Sequence, residues 1–336
     1  MARAEAAAIR ALAADLGIDR VGFASAAPLV RAARRIQQAG RDPDEPETTC
    51  DPGEVLPGAR SVIVAAQGYL TDEPADGSRP GDPHGLVARY NWRDHYGDLR
   101  KRLKALASGL SRLVGEPVRT RVGVNGRLAE KPLAVRAGVG GWGRHGIVVA
   151  GPLGSWVVLG EVVTDLEIQP DPPGRSPCGT CRACMSACPT GAIVAPRILD
   201  RSRCIQHLSG RAGPLPVDLY EAWGPRLYGC TVCQDVCPLN ERAPFTDRRP
   251  ARGAVGASLP LLPVLTWSEE TFRARVAGNQ MAASWVAWAA IRRNACLALG
   301  HRGDRVAVPA LETALARDPD AGVRDAAAWA LERLRC

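Results

Sequence analysis

Apolar residues in the first half of the chain alternate between two spacings. Helical spacing covers residues 4–16, 96–114 and 128–137, where apolar positions recur three or four residues apart. Short runs rich in valine and isoleucine predict strands at residues 21–24, 61–66, 118–122, 147–150 and 156–163. Because helices and strands alternate, we predict an α/β domain, which we place at residues 1–168.

Two segments with the composition of linkers divide the rest of the chain. Residues 169–174 are rich in proline, and residues 242–250 are rich in proline and arginine. Between them, residues 175–245 contain most of the cysteines and are predicted to form a ferredoxin-type module. The last predicted domain, residues 260–336, is expected to be entirely α-helical.

The helical segment repeats itself. Residues 291–299 align with residues 323–331 at a constant offset of 32 residues. Helix pairs with this period, and with small and apolar residues on the face that stacks, are typical of HEAT repeats. Packing explains the apolar positions, so only the basic residues suggest binding. We expect an exposed basic face formed by Arg292, Arg293, Arg302 and Arg305.

Charge and composition exclude few classes of protein. The 336 residues carry a formal net charge of +8, which suits a polyanionic partner such as RNA without requiring one. Charged residues interrupt the alanines of the first segment, and no apolar run approaches the roughly 18 residues of a membrane span. We therefore expect a cytoplasmic protein without a membrane partner.

Eight of the eleven cysteines have the spacing of a protein that binds two [4Fe–4S] clusters. In a C-x2-C-x2-C-x3-C-P run, three cysteines bind one cluster and the fourth binds the other. Residues 178–189 match this run, and residues 230–238 form a second Cys-Pro-terminated group. The rule assigns one cluster to Cys178, Cys181, Cys184 and Cys237, and the other to Cys188, Cys204, Cys230 and Cys233.

Other interpretations of these cysteines fit less well. Disulfides are rare in a chain of this size without a secretory segment. A zinc site takes four ligands, which a three-cysteine run with a Pro-terminated fourth does not favour. A radical-SAM site is excluded, because Gly191 occupies the position that its third cysteine would need.

A glycine-rich segment, residues 138–143, matches the dinucleotide fingerprint G-x-G-x-x-G. It follows a predicted helix and opens a predicted strand, which is the reverse of the order in a Rossmann fold. We therefore expect no dinucleotide there. The loop either brings its backbone close to a large flat ligand or forms a simple turn.

Taken in order, these segments resemble the cobalamin-dependent epoxyqueuosine reductases. The similarity extends through nearly the whole chain and continues into the helical repeats. The segments that carry it are Leu56-Pro57-Gly58-Ala59-Arg60-Ser61-Val62-Ile63, Ala88-Arg89-Tyr90, Arg93-Asp94-His95-Tyr96, Arg136-Ala137-Gly138-Val139-Gly140, Leu159-Gly160-Glu161, Cys178-Gly179-Thr180-Cys181, Arg203-Cys204-Ile205, Tyr228-Gly229-Cys230 and Cys237-Pro238-Leu239-Asn240.

The resemblance implies a function for each part of the chain. A base-off cobalamin would lie in the α/β domain, contacted by Arg144, His145 and Gln206, and would be reduced through the two clusters. The expected reaction converts an epoxide on a tRNA nucleoside to an alkene, which takes two electrons and two protons. The implied partners are tRNA and an external electron donor of the flavodoxin or ferredoxin type, and the protein is expected to be a monomer.

Three departures from the family lie on the cofactor and substrate side. Val124 occupies the position of a carboxylic acid thought to protonate the leaving oxygen, and valine has no proton to donate. Residues 206–211 differ from the family's sequence in a region that resembles a cofactor-facing loop. Residues 41–49 replace a histidine-containing segment of the family. The candidate replacement acids are His145, His207, Tyr228 and Glu130.

The sequence thus predicts an iron–sulfur and cobalamin-dependent reductase that converts epoxyqueuosine to queuosine in tRNA. Two alternatives stay open. One is a related reductase of a small-molecule substrate, which the loss of the acid at Val124 favours. The other is a ferredoxin-like electron carrier, which would lack tight and salt-dependent binding of tRNA.

Overall fold

The computed structural model describes residues 5–39, 49–72 and 76–335, so residues 41–48 of one divergent segment lie outside it. The helices are α1 (Ala6–Asp15), α2 (Val30–Ala39), α3 (Pro52–Val55), α4 (His95–Val114), α5 (Glu130–Arg136), α6 (Ala183–Ser186), α7 (Ile205–Leu208), α8 (Asp218–Trp223), α9 (Val232–Asp235), α10 (Leu261–Thr266), α11 (Glu269–Arg275), α12 (Trp288–Arg302), α13 (Val308–Arg317) and α14 (Ala321–Arg335). The strands are β1 (Arg20–Ser25), β2 (Ser61–Gly68), β3 (His84–Val87), β4 (Thr120–Gly123), β5 (Gly141–Trp142), β6 (Val148–Val149), β7 (Val157–Thr164), β8 (Ile193–Ala195), β9 (Ile198–Leu199), β10 (Arg226–Tyr228) and β11 (Ser258–Pro260). No helix in the described part of the chain is long and apolar enough to cross a membrane.

The chain divides into two compact units, each of which is discontinuous in sequence. The first comprises Met1–Leu70, His95–Cys181 and Pro238–Thr246. The second comprises Thr71–Asp94, Arg182–Cys237 and Asp247–Cys336. The sequence-based boundaries at 168, 175, 245 and 260 stay predictions.

A four-stranded sheet forms the centre of the first unit. Its strand order is β1-β2-β7-β4, and each pair of neighbours is antiparallel. The apolar strand β2 lies in the middle, where seven of its eight residues are buried. Alternate residues of β2, such as Val62 and Val64, share a core with Leu133 and Ala134 of α5. The long helix α4 packs on β7 and β4, and α1 packs on α4.

The second unit combines a small sheet with the helical repeats. Strand β3 lies between β10, which is parallel to it, and β11, which is antiparallel. Helix α12 packs against α14 and is buried along most of its length. A methyl group on Gly300 of α12 would lie 2.7 Å from the ring of Trp329 and 3.0 Å from Ala330, both on α14. Only glycine therefore permits this close contact between α12 and α14.

Of the four arginines expected to form a basic face, Arg305 is exposed, whereas the other three bind groups of the protein. Arg293 is 1% exposed, and it donates hydrogen bonds to backbone carbonyl groups of residues 208–213. Arg292 forms a two-contact ion pair with Asp318, at 2.7 and 3.0 Å. Arg302 pairs with Asp76 at 2.8 Å. The prediction was wrong for these three arginines, because internal carbonyl and carboxylate groups bind them.

Candidate functional site

Five of the predicted cluster ligands lie together in the second unit. The pKa of the Cys233 thiol is raised first by burial and then by the charges of Cys230, Cys204, Cys184 and Cys188. The pKa of Cys204 is likewise raised by burial, with smaller contributions from Cys230 and Cys188. Charges act on one another in this way only at short range, so these cysteines are neighbours in the second unit. Because Cys184 of the first predicted set is among them, the division of the cysteines into two ligand sets stays a prediction.

Each C-x2-C group continues into one turn of helix. Cys184 lies in α6 and Cys233 lies in α9, and these two turns pack against each other. The turns are short because Ala187-Cys188-Pro189 and Val236-Cys237-Pro238 follow, and proline cannot continue a helix.

Cys188 lies in an environment that stabilises an anion. Burial alone would raise the pKa of its thiol, but the hydroxyl of Thr190 and the backbone N–H groups of Thr190, Ala192 and Ile193 offset this effect. The pKa of Cys188 is therefore below its ordinary value. Hydrogen-bond donors that favour thiolate also favour metal binding by that sulfur.

Gln206 contacts the backbone of a predicted cluster ligand. Its Oε1 atom accepts a hydrogen bond from the N–H of Cys230 at 3.3 Å. The preceding residue, Gly229, has φ +76° and donates its N–H to Ser209 Oγ at 3.0 Å. The sequence predicted Gln206 as a cofactor contact, and its described position is beside Cys230.

Arg144 contacts the first cysteine group within the first unit. Its backbone N–H lies 3.3 Å from Cys178 Sγ, and its guanidinium donates to the carbonyl of Gly179 at 2.6 Å. Arg144 therefore binds both the sulfur of Cys178 and the backbone of the next residue.

His145 is buried and has one ring nitrogen without a partner among the described residues. Its Nδ1 atom accepts the N–H of Ile147 at 3.1 Å, so the ring proton lies on Nε2. Burial, followed by the charge of Lys131, lowers the pKa of His145 to about 4. The ring is therefore neutral at pH 7, and the buried Nε2–H is a donor with no acceptor in the described part of the chain.

The glycine-rich loop packs against the protein's own backbone. A methyl group on Gly140 would lie 2.4 Å from the carbonyl oxygen of Val149, and one on Gly141 would lie 1.8 Å from that of Arg175. Protein backbone thus fills the space beside these two glycines, and the choice between a ligand contact and a simple turn stays a prediction.

Two carboxyl groups lie beside the position that lacks the expected acid. Val124 is 1% exposed, and its carbonyl accepts a hydrogen bond from Arg100 at 2.6 Å. The next residue, Asn125, has φ +49° and donates its N–H to a carboxyl oxygen of Glu130. Glu161 of β7 is 2% exposed, and its Oε2 atom has no hydrogen-bond partner among the described residues.

These two carboxyl groups affect each other's ionisation. Burial raises the pKa of Glu130 to about 7, although the N–H groups of Asn125 and Gly126 oppose the shift. Burial and the charge of Glu130 raise the pKa of Glu161 well above its ordinary value. Sequence reasoning proposed Glu130 but missed Glu161 as an acid. The available signal was a glutamate in the interior of the apolar strand β7.

The other candidate acids are less suited to donate a proton at neutral pH. His145 is neutral at pH 7, because its pKa is lowered to about 4. Burial raises the pKa of Tyr228 to about 12. The Nδ1 atom of His207 lies 3.4 Å from the Arg201 guanidinium. Glu130, in contrast to His145 and Tyr228, has a pKa of about 7.

Three family models match the chain. The model described as "Epoxyqueuosine reductase QueG, DUF1730" matches residues 50–125, "4Fe-4S double cluster binding domain" matches residues 177–240, and "HEAT repeats" matches residues 287–335. The double cluster-binding domain and the helical repeats predicted from the sequence are confirmed.

Relatives of known function are similar over most of the chain. The epoxyqueuosine reductase of Bacillus cereus is 34% identical over 332 residues, which cover 95% of this chain and 86% of the relative. That of Bacillus subtilis is 33% identical over 335 residues, covering 96% and 86%.

Solved structures agree with these matches. A B. subtilis epoxyqueuosine reductase, with its catalytic loop swung out of the active site, has a TM-score of 0.86 and is 32% identical. An epoxyqueuosine reductase with an epoxyqueuosine-modified tRNA-Tyr stem loop has a TM-score of 0.85 and is 31% identical. Each match covers 97% of this chain and 89% of the solved chain.

Proposed function

Since this chain belongs to the epoxyqueuosine reductase family, we propose that it reduces the epoxide of epoxyqueuosine in tRNA to the alkene of queuosine. The observation that carries this proposal is 34% identity to a curated epoxyqueuosine reductase over 95% of the chain. That similarity includes a double [4Fe–4S] domain, which the reaction needs because it consumes two electrons and each cluster transfers one at a time.

The ligand sets of the two clusters are part of this proposal. The spacing of the cysteines supports both sets, and the electrostatic effect of Cys188, Cys204 and Cys230 on Cys233 is consistent with the second. The first set is Cys178, Cys181, Cys184 and Cys237, and the second is Cys188, Cys204, Cys230 and Cys233.

Cobalamin is the second cofactor that we propose. His145 supports it, because a buried Nε2–H without a described acceptor suits the amide oxygens on the periphery of a corrin. Arg144 and Gln206 are the other proposed contacts. When bound, cobalamin supplies a low-valent cobalt that acts on the substrate. The N–H of Ile147 holds the His145 ring in the tautomer that carries its proton on Nε2. Hydrogen bonds to Cys178 and Gly179 fix the position of Arg144.

The remaining proposals concern partners, location and organisation. The net charge of +8 suits tRNA, and an external flavodoxin or ferredoxin would supply electrons. Thiolate-bound clusters need a reducing compartment, so we place the protein in the cytoplasm. We also propose that it is a monomer. We propose that residues 1–168 bind cobalamin, that residues 175–245 carry electrons and that residues 260–336 form the repeat domain.

Val124 favours a second candidate function. A buried valine stands where the resemblance places a carboxylic acid, so a related reductase of a small-molecule substrate is the alternative. The variant Val124→Asp separates the two candidates. If wild type has no activity on epoxyqueuosine tRNA and the variant gains it, the alternative is correct. If wild type is active, the tRNA substrate is correct and this chain uses another acid.

The direct experiment uses anaerobically reconstituted full-length protein. We expect about eight irons per chain, a cob(II)alamin spectrum in electron paramagnetic resonance, and conversion of epoxyqueuosine tRNA to queuosine tRNA. Unmodified tRNA serves as the control for binding without turnover. Eight irons without a cobalamin signal and without turnover would contradict the proposal and favour the electron carrier.

A further inference from the structure

Val124 leaves the proposed reaction without the expected acid, and a pair of carboxyl groups lies next to it. Glu130 is the first residue of α5, and its carboxyl group accepts the N–H of Asn125, the residue that follows Val124. A carboxyl group held there is within one residue of the position that the missing acid would occupy. It is the described carboxyl group that this turn holds beside that position.

Glu161 lies beside the turn that contains Val124. A methyl group on Gly123, the residue before Val124, would lie 1.9 Å from Glu161 Oε1. The other oxygen of Glu161 is buried without a partner among the described residues. An ionised carboxylate is costly in such a place, so Glu161 favours its neutral form, and the charge of Glu130 acts in the same direction.

The surrounding charges do not remove this effect. Arg100 of α4 and Lys131 of α5 are the cations that act on Glu130, and both favour its ionised form. The N–H groups of Asn125 and Gly126 act in the same direction. Burial outweighs all four, and the pKa of Glu130 remains about 7. A carboxyl group with this pKa is half protonated at neutral pH, which is the condition for efficient proton transfer.

We propose that Glu130 supplies the proton that Val124 cannot, beside a buried Glu161 that stays neutral. This inference rests on the proposed function. Reduction of the epoxide breaks both C–O bonds of the oxygen and forms a C=C bond, with two electrons and two protons consumed and water released. Glu130 gives one proton to the leaving oxygen and becomes a carboxylate. Solvent supplies the second proton and then reprotonates Glu130. The electrons come from an external protein reductant through the clusters.

Infrared titration of the cluster-loaded, full-length protein tests the protonation of Glu130 and Glu161 in the absence of substrate. Wild type is expected to show a carboxyl C=O band that disappears between about pH 6 and 8. The band should be lost in Glu130→Gln and should keep its titration range in Glu161→Gln, because an amide matches a neutral carboxyl group in charge. Glu116→Gln, at an exposed glutamate after α4, is the control and should leave the band unchanged. A wild type without such a band overturns the inference.

Single-turnover assays on an anticodon stem loop that carries epoxyqueuosine test the role in the reaction. Glu130→Gln is expected to slow conversion by about 10² to 10⁴-fold, with unchanged affinity for the RNA, and Glu130→Asp should recover part of the rate. Glu161→Gln should leave the pH at which the rate falls unchanged, because the amide matches a neutral carboxyl group in charge. Glu116→Gln should match wild type.

The two failures are distinguishable. If wild type converts the RNA and Glu130→Gln does so within about 2-fold of its rate, far less than the loss expected for a general acid, the inference is overturned and the proposed function stands. If wild type does not convert the RNA, the proposed function is overturned. The infrared titration alone then decides whether Glu130 is protonated near neutral pH.

Discussion

The side-chain oxygen of Gln206 accepts a hydrogen bond from the backbone N–H of Cys230 at 3.3 Å. Because Cys230 is a proposed cluster ligand, a charge at position 206 acts directly on the reduction potential of that cluster. Gln206→Glu keeps the acceptor and adds a negative charge when ionised, which disfavours the more negative, reduced cluster.

We expect Gln206→Glu to lower one of the two cluster potentials by roughly 40 mV, equivalent to about 1 kcal/mol for a one-electron couple. Redox titration followed by electron paramagnetic resonance measures this shift. Gln37→Glu, at an exposed position of α2, is the charge-matched control and should leave both potentials unchanged. Equal potentials in Gln206→Glu and wild type would show that residue 206 does not affect the cluster.

Gly229 permits the approach of Cys230 to Gln206. It has φ +76°, and a methyl group there would lie 2.6 Å from Ala88 Cβ and 3.0 Å from Gln206 Oε1. Gly229→Ala should therefore lower the free energy of unfolding by about 2 to 4 kcal/mol and reduce the iron content of purified protein. Gly256→Ala shares the positive φ, +73°, but meets no atom within 4 Å, so it isolates the cost of backbone strain. Thermal unfolding and iron analysis of both variants measure the effect. Equal losses in the two variants would rule out a role for the contacts at Gly229.

The assignment of four cysteines to one cluster makes a quantitative prediction. Cys204→Ser removes a ligand from the set of Cys188, Cys230 and Cys233, so we expect iron to fall from about eight to about four per chain. The first cluster should keep its signal in electron paramagnetic resonance. Cys50→Ser, which changes a cysteine outside both sets, should retain all the iron. Loss of all iron in Cys204→Ser would contradict independent ligand sets.

Regular elements with strong periodicity were predictable from the sequence. The apolar run at 61–66 became β2, and the helical spacing at 96–114 became α4. The α/β character of the first region and the family resemblance are confirmed. The small sheet that contains β3 was missed, because its strands have three or four residues each and pair across more than 130 positions of sequence. Such short strands have no periodicity of their own to detect.

Side-chain partners account for the other differences. Arg293 was expected on a basic surface, but the carbonyl groups of residues 208–213 bind it in the interior. Spacing along a helix shows which residues share a face, and it does not show what that face contacts. Glu161 was missed as an acid for the same reason. Its raised pKa depends on burial and on Glu130, and β7 lies beside the turn after β4 only in the folded chain, which is a tertiary relationship.

His145 gives the protein a defined sensitivity to acid. Burial, followed by the charge of Lys131, lowers its pKa to about 4, whereas an unfolded histidine titrates near 6.5. Between these two values the unfolded chain binds a proton that the folded chain does not, so the free energy of unfolding falls as the pH falls from about 6.5 to about 4. At pH 5 this proton uptake lowers the free energy of unfolding by about 2 kcal/mol, and above pH 7 it has no effect.

His145→Asn tests this directly, because the Oδ1 atom of asparagine can replace Nδ1 as the acceptor for the N–H of Ile147 but cannot take up a proton. We expect the variant to match wild type within about 1 kcal/mol at pH 7.5 and to lose about 2 kcal/mol less than wild type on transfer to pH 5. Urea unfolding at the two pH values, followed by tryptophan fluorescence, measures the difference. Parallel pH dependences of wild type and variant would show that His145 is not held neutral in the folded protein.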